Sequence, residues 1–260
     1  LGHYLQSDHC HLDRLVLQNA DIDDEECSKF VTAIAVKKTI QYVDMSRNLL
    51  GSQENKASID PRFRTGGASI AELLRSATCP LETLILSWNS MRSSTIPIAL
   101  SLSVNKTVTK LDLSYNSLGN EGAEVLGNSL HYNATLVDLD LTNCKIMARG
   151  CFVLVNGAYW CSSLRHLSLC ENPIGDIGLR SVMALQLHFT NDELDVNIKG
   201  CSFKMIDSSA TFDPKHVASE YSLDLNMPYD RAVAVALARE VASHDDVCFT
   251  DFKYNGVPVK

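Results

Sequence analysis

No stretch of the sequence holds about 18 consecutive apolar residues, the length a helix needs to cross a bilayer, so no membrane span is expected. No Gly-x-x-x-x-Gly-Lys loop is present, which removes the phosphate cradle that nucleotide hydrolysis by this chain would need. The nine cysteines are odd in number and include no Cys-x-x-Cys pair. They fit reduced, mostly buried thiols in a cytoplasmic chain better than a disulfide framework or a zinc site. Positive charge is the scarcer sign, with 23 Lys and Arg against 31 Asp and Glu and a formal net charge of −8. That balance disfavours nucleic acid and anionic membranes and favours a protein partner with a basic surface. The start, "LGHYLQSDHCHLDRL", has neither Met nor a signal-like apolar core.

What the sequence does contain is one unit, repeated. In "LDLSYNSLGNEG", residues 111–122, Leu111 and Leu113 alternate with Asp112 and Ser114 as in a short half-buried strand, and "GNEGAEVLGNSL" reads as a turn entering a helix. A unit this small cannot bury its apolar face alone, so copies are expected. Counting from Val108, the pattern is apolar at steps 1, 4 and 6, Asn or Cys at step 9, and apolar at step 11. Units start at residues 12, 40, 81, 108, 136, 164, 193, 220 and 249, the spacing being 27–29 except for one of 41. The expected architecture is a single domain over residues 1–260 of about nine units, with an insertion near 52–65. Because the last unit runs into the C-terminus, the chain is read as a piece of a longer protein lacking its natural end caps.

Physical chemistry accounts for the pattern. Strands of successive units pair in parallel at about 4.7–4.9 Å, and the helices pack behind them into one continuous core. Step 9 falls where the backbone turns inward and leaves amide groups unpaired, which an Asn side chain satisfies as both donor and acceptor. The step 9 residues are Asn48, Asn89, Asn116, Cys144, Asn172 and Cys201. Gly119 and Gly122 follow because the corner needs small residues or unusual dihedrals.

At these residues the sequence resembles the leucine-rich repeat family, and the period near 28 resembles its ribonuclease-inhibitor-like class. The Gly-rich corners after Asn116 and Asn172, with Cys144 between them, are similar to that class's alternation of Asn-type and Cys-type units. The resemblance implies an α/β solenoid: a curved horseshoe with parallel strands on the concave face and helices on the convex face. It also implies a non-catalytic scaffold that binds a protein, in a signalling, cytoskeletal or ciliary assembly, with no metal and no cofactor. A rival reading is stimulation of a small GTPase, as in the Ran GTPase-activating protein, with Arg47 and Asn48 as the first residues to test.

The repeat places candidate contact residues in columns. Step 5 faces out from the strands and brings Asp44, Asp112 and Asp140 into an acidic strip; Asp at this step is also common in the family as a fold feature. Step 8, on the loop leaving each strand, holds Arg47, Trp88 and Tyr115, residue types that often dominate binding energy. The insertion "SQENKASIDPRFRT" is polar, is expected to leave the same edge as Arg47 and Trp88, and offers Arg62, Phe63 and Arg64 as contacts, or is a tolerated solvent-exposed loop. Asp138, His166 and Ser168 lie near one another but lack an oxyanion hole, so no enzyme is expected. His9 and His11 flank Cys10 without a second ligand pair. Sequons at Asn105 and Asn133 read as ordinary helix-to-strand corners. The helix expected from about Asp230 reads as another repeat's.

Overall fold

The computed structural model describes residues 5, 11–188, 194–201, 253–254 and 257–258. Seven three-residue strands run in sequence order in one open parallel sheet: β1 (Arg14–Val16), β2 (Tyr42–Asp44), β3 (Thr83–Ile85), β4 (Lys110–Asp112), β5 (Asp138–Asp140), β6 (His166–Ser168) and β7 (Asp195–Asn197). Their central residues Leu15, Val43, Leu84, Leu111, Leu139, Leu167 and Val196 are in register and buried. Between them lie α1 (Asp24–Lys37), α2 (Glu54–Ile59), α3 (Gly66–Arg75), α4 (Thr95–Ser101), α5 (Gly119–Leu130), α6 (Ala148–Trp160) and α7 (Gly175–His188). A helix is about 10 Å wide and a strand about 4.8 Å. The stack therefore curves, with the sheet on its inner face. Units expected from 220 and 249 lie outside the described residues apart from β8 (Lys253–Tyr254) and β9 (Val257–Pro258), which pair antiparallel with each other.

The step 9 side chains form a buried ladder. Asn116 Nδ2 donates to Leu113 O (2.9 Å) and Ser114 O (3.3 Å) of its own turn and to Leu86 O of the preceding unit (2.9 Å). Its Oδ1 accepts from Asn89 N (3.2 Å) and Met91 N (3.0 Å). Asn48 and Asn172 repeat this arrangement. Cys144 keeps the donor half, Sγ to Leu113 O at 3.2 Å, but offers no comparable acceptor.

The corner geometry follows the neighbour. At three of the four corners that face an Asn, step 10 is left-handed: Asp21 (φ 54°), Ser90 (55°) and Lys145 (59°); the exception is Leu49, which faces Asn89 beside the insertion. Where the next unit supplies Cys, step 12 is a left-handed glycine: Gly119 (φ 63°) and Gly175 (65°). Gly119 N then donates to Cys144 O at 2.9 Å. The Gly-rich corners are thus the counterpart of the cysteine in the unit that follows.

The insertion is a stitched segment that includes α2. Asp24, buried at the start of α1, accepts from Gln53 N (3.1 Å) and Gly66 N (2.6 Å), the two ends of the insertion. The Glu54 carboxylate accepts from the backbone amides of Arg92, Ser93 and Ser94 (2.8, 3.0 and 2.8 Å) and from Ser93 Oγ (2.8 Å). Burial alone raises the Glu54 carboxyl, but these hydrogen bonds outweigh it and hold it below its ordinary range.

Candidate functional site

A row of side chains runs along the edge where the strands end. Beyond each strand, the step 8 amide extends the sheet ladder: Arg47 N to Ser87 O (2.8 Å), Trp88 N to Ser114 O (3.1 Å), Tyr115 N to Thr142 O (2.7 Å), Asn143 N to Cys170 O (2.8 Å) and Glu171 N to Lys199 O (2.9 Å). These bonds hold neighbouring step 8 residues one strand spacing apart, about 4.8 Å, close to the thickness of stacked rings. Trp88 and Tyr115 accordingly stack at 4.1 Å between centroids and 10° between planes. The Arg47 guanidinium lies over the Trp88 ring at 5.2 Å. Glu171 Oε2 accepts from Tyr115 Oη (3.3 Å) and Asn143 Nδ2 (3.1 Å), joining five units in one row. Removal from water, and then the Glu171 charge, push the Tyr115 phenol above its ordinary range.

Every member of this row is left-handed: Asn19 (φ 54°), Arg47 (56°), Trp88 (59°), Tyr115 (54°), Asn143 (51°), Glu171 (57°) and Gly200 (73°). Asn and Gly take that conformation at little cost, as at 19, 143 and 200, whereas other residues are strained by roughly 1–2 kcal/mol each. The ring stack and the cation–π contact return about 0.5–1.5 and 0.5–1 kcal/mol. The fold by itself therefore favours Asn or Gly at 47, 88, 115 and 171. Of these four, Arg47, Trp88 and Glu171 are exposed, Trp88 at 47%, and Tyr115 is half-buried.

The step 5 carboxylates are partly committed to the fold. Asp44, Asp112 and Asp140 each accept, through Oδ1, the amide two residues on: Ser46 N (2.9 Å), Ser114 N (2.8 Å) and Thr142 N (2.9 Å). In the register Ile85 separates Asp44 from Asp112, so the acidic strip narrows to the pair Asp112–Asp140. Burial, opposed by its Ser114 bonds and reinforced by Asp140, raises the Asp112 carboxyl.

Arg62, Phe63 and Arg64 do not join the row. With Asp60 and the α1 residues Glu25, Ser28, Lys29 and Thr32 they line a separate groove of about 430 Å³. Arg64 pairs with Glu72, and Lys56 Nζ sits 5.3 Å over the Phe63 ring. Asp138 faces Lys110 (3.7 Å) and Ser168 Oγ bonds Thr142 Oγ1 (2.9 Å), so the pieces of the triad reading have other partners. Of the His9–Cys10–His11 group, only His11 is described; the helix expected from Asp230 lies outside the described residues.

Three features escaped sequence reasoning. Glu171 sat in the step 8 column, but its bond to Tyr115 spans two units and has no local signal. Asn105 and Asn133 form a second buried ladder, each 2% exposed, with Nδ2 donating to Leu74 O (2.8 Å) and Leu102 O (2.7 Å) and Oδ1 accepting from Val108 N and Leu136 N (both 2.8 Å). A glycan on either nitrogen is incompatible with this fold. Val104, Tyr132 and Trp160, 28 residues apart, are exposed where α4, α5 and α6 end; their spacing was the available signal.

The seven described cysteines are free thiols. Burial pushes Cys27, Cys144 and Cys151 up to about 12 and Cys201 up to about 11, so all four stay protonated at neutral pH. Among the described residues, no helix is long and apolar enough to cross a membrane.

Comparison with known proteins agrees with the repeat architecture. A family profile described as Leucine Rich repeat matches residues 104–127, 132–155 and 161–183. Human "NACHT, LRR and PYD domains-containing protein 2" is 30% identical over 178 residues, 68% of this chain and 15% of that protein. Pig "Ribonuclease inhibitor" is 29% identical over 127 residues, 48% of this chain and 25% of that protein. This chain thus spans a small part of the curated relatives it matches. A solved structure, "Leiomodin-1 Actin-Binding Site 2 (ABS2)", aligns with a TM-score of 0.37 and 14% identity over 63% of this chain and 73% of that one, too distant a likeness to inform the site.

Proposed function

Since this chain is a leucine-rich-repeat solenoid of the ribonuclease-inhibitor-like class, we propose that it is a non-catalytic platform that binds a protein partner through its strand-exit edge and the adjoining concave face. The observation that carries this reading is the Arg47–Trp88–Tyr115–Glu171 row, exposed except for the half-buried Tyr115 and held in a backbone conformation that the fold would give to Asn or Gly. Asp112 and Asp140 beside it, and the net charge of −8, favour a partner whose facing surface is basic overall. Free thiols and the two buried sequon amides support a cytoplasmic chain.

Stimulation of GTP hydrolysis through Arg47 and Asn48 finds less support, because the Asn48 side chain is occupied by five backbone hydrogen bonds. A GTPase turnover assay of native chain against Arg47→Ala distinguishes the two. The platform reading is tested by affinity capture with native chain and with Trp88→Ala/Tyr115→Ala, both shown folded by circular dichroism. We expect a partner lost from the variant alone; equal recovery by both removes the row as the site.

A further inference from the structure

We infer that the strand-exit row accepts an extended partner segment of dipolar charge, with an acidic side chain against Arg47, apolar side chains over the rims of Trp88 and Tyr115, and a basic side chain against Glu171. The inference rests on the row being the partner-binding edge and adds the chemistry of what lies on it. Three observations carry it.

First, the row is polarised. Its described side chains run cation, aromatic, aromatic, amide, anion across five successive units. Second, both terminal charges remain open to a partner. Arg47 is exposed, contacts Trp88 through its face, and has no carboxylate partner among the described residues. Glu171 is exposed and receives two neutral donors on Oε2, with no cation paired to it among the described residues. Third, the row is linear and one side chain wide. Four strand spacings separate Arg47 from Glu171, about 19 Å, which an extended chain rising about 3.3 Å per residue covers in about six residues. The stacked rings present their edges rather than their faces, a strip suited to apolar side chains between two charges.

Complementary charge at the rim of an interface selects partners and orients them more than it adds affinity. Reversing either terminal charge should therefore change which segment is preferred. The test is selection of a phage-displayed random twelve-residue peptide library on immobilised chain. Native chain is expected to enrich peptides carrying one acidic and one basic residue about six positions apart around apolar residues. Arg47→Glu, which makes both ends acidic, is expected to shift enrichment to doubly basic peptides, and Glu171→Lys to doubly acidic ones. For single synthetic peptides drawn from the native pool, each reversal should weaken binding about twofold to fivefold, as for exposed ion pairs. Pools that depend on Trp88 and Tyr115 but do not respond to either reversal overturn the dipolar inference and leave the row as a site. Pools identical on native chain and on Trp88→Ala/Tyr115→Ala, or no enrichment on either, overturn the row itself.

Discussion

Tyr115 and Asn116 are adjacent in the chain, and each heads a column that runs along the whole described solenoid. The Asn column is buried, makes up to five backbone hydrogen bonds per side chain, and joins each unit to the one before it. The Tyr115 column, one residue earlier, is solvent-facing and strained, and its side chains touch mainly one another. Backbone position is equally well defined in both. What differs is whether the side chain satisfies the backbone or is merely carried by it, and that separates residues the fold requires from residues it only presents.

The largest effect expected from this contrast belongs to the buried column. Asn116→Ala leaves two amides and three carbonyls of the turn without their side-chain partner and should cost about 3–5 kcal/mol by urea denaturation. A change below about 1 kcal/mol would erase the distinction between the columns.

Asn172→Cys tests whether the two ladder types are matched to their neighbours. It keeps a donor but removes the acceptor for Cys144 N (2.9 Å) and Ile146 N (3.0 Å), facing a corner built at Lys145 rather than at a glycine. A loss of about 2 kcal/mol is expected in the same measurement. A neutral result would show that either corner serves either residue.

The exposed column should behave in the opposite way. Trp88→Asn/Tyr115→Asn relieves left-handed strain while losing the ring stack, so stability should stay within about 1 kcal/mol of native. Partner capture should nonetheless fall about tenfold or more, as for aromatic anchors at interfaces. Destabilisation on the scale of Asn116→Ala would make the row a part of the fold.

The smallest effect lies at the insertion. The Glu54 carboxyl sits below its ordinary range, so its cap is fully present above the unfolded value near 4.5 and is lost as pH falls through the lower folded value. Thermal melts of native chain and Glu54→Gln between about pH 6 and pH 3 should converge as pH drops. Asp24, raised chiefly by burial, acts with the opposite sign and is present in both proteins. Parallel curves would mean that Glu54 does not hold the insertion to the following unit.

Much of the fold was legible because it is periodic. Leu84, Leu111, Leu139 and Leu167 recur at 27–28 residues, and side chains alternate faces along each strand, so register and inward face follow from spacing alone. The same pattern, counted across the 41-residue unit as well, put Arg47, Trp88 and Tyr115 in one column. The insertion was less legible. Arg62, Phe63 and Arg64 were expected on the same edge, yet the segment folds against α1, because Asp24 holds both of its ends from 29 and 42 residues away.

By itself the sequence determined the repeat, the buried leucines and the Asn and Cys ladder, since each depends on a short pattern satisfying its own backbone and that of the next copy. Only the tertiary structure decided that corner geometry answers to the neighbouring unit, that the sequon amides are buried, and that Arg47, Trp88, Tyr115 and Glu171 form one continuous row. Those are contacts between units, set by the distance at which parallel strands pair, and no single stretch of chain encodes them.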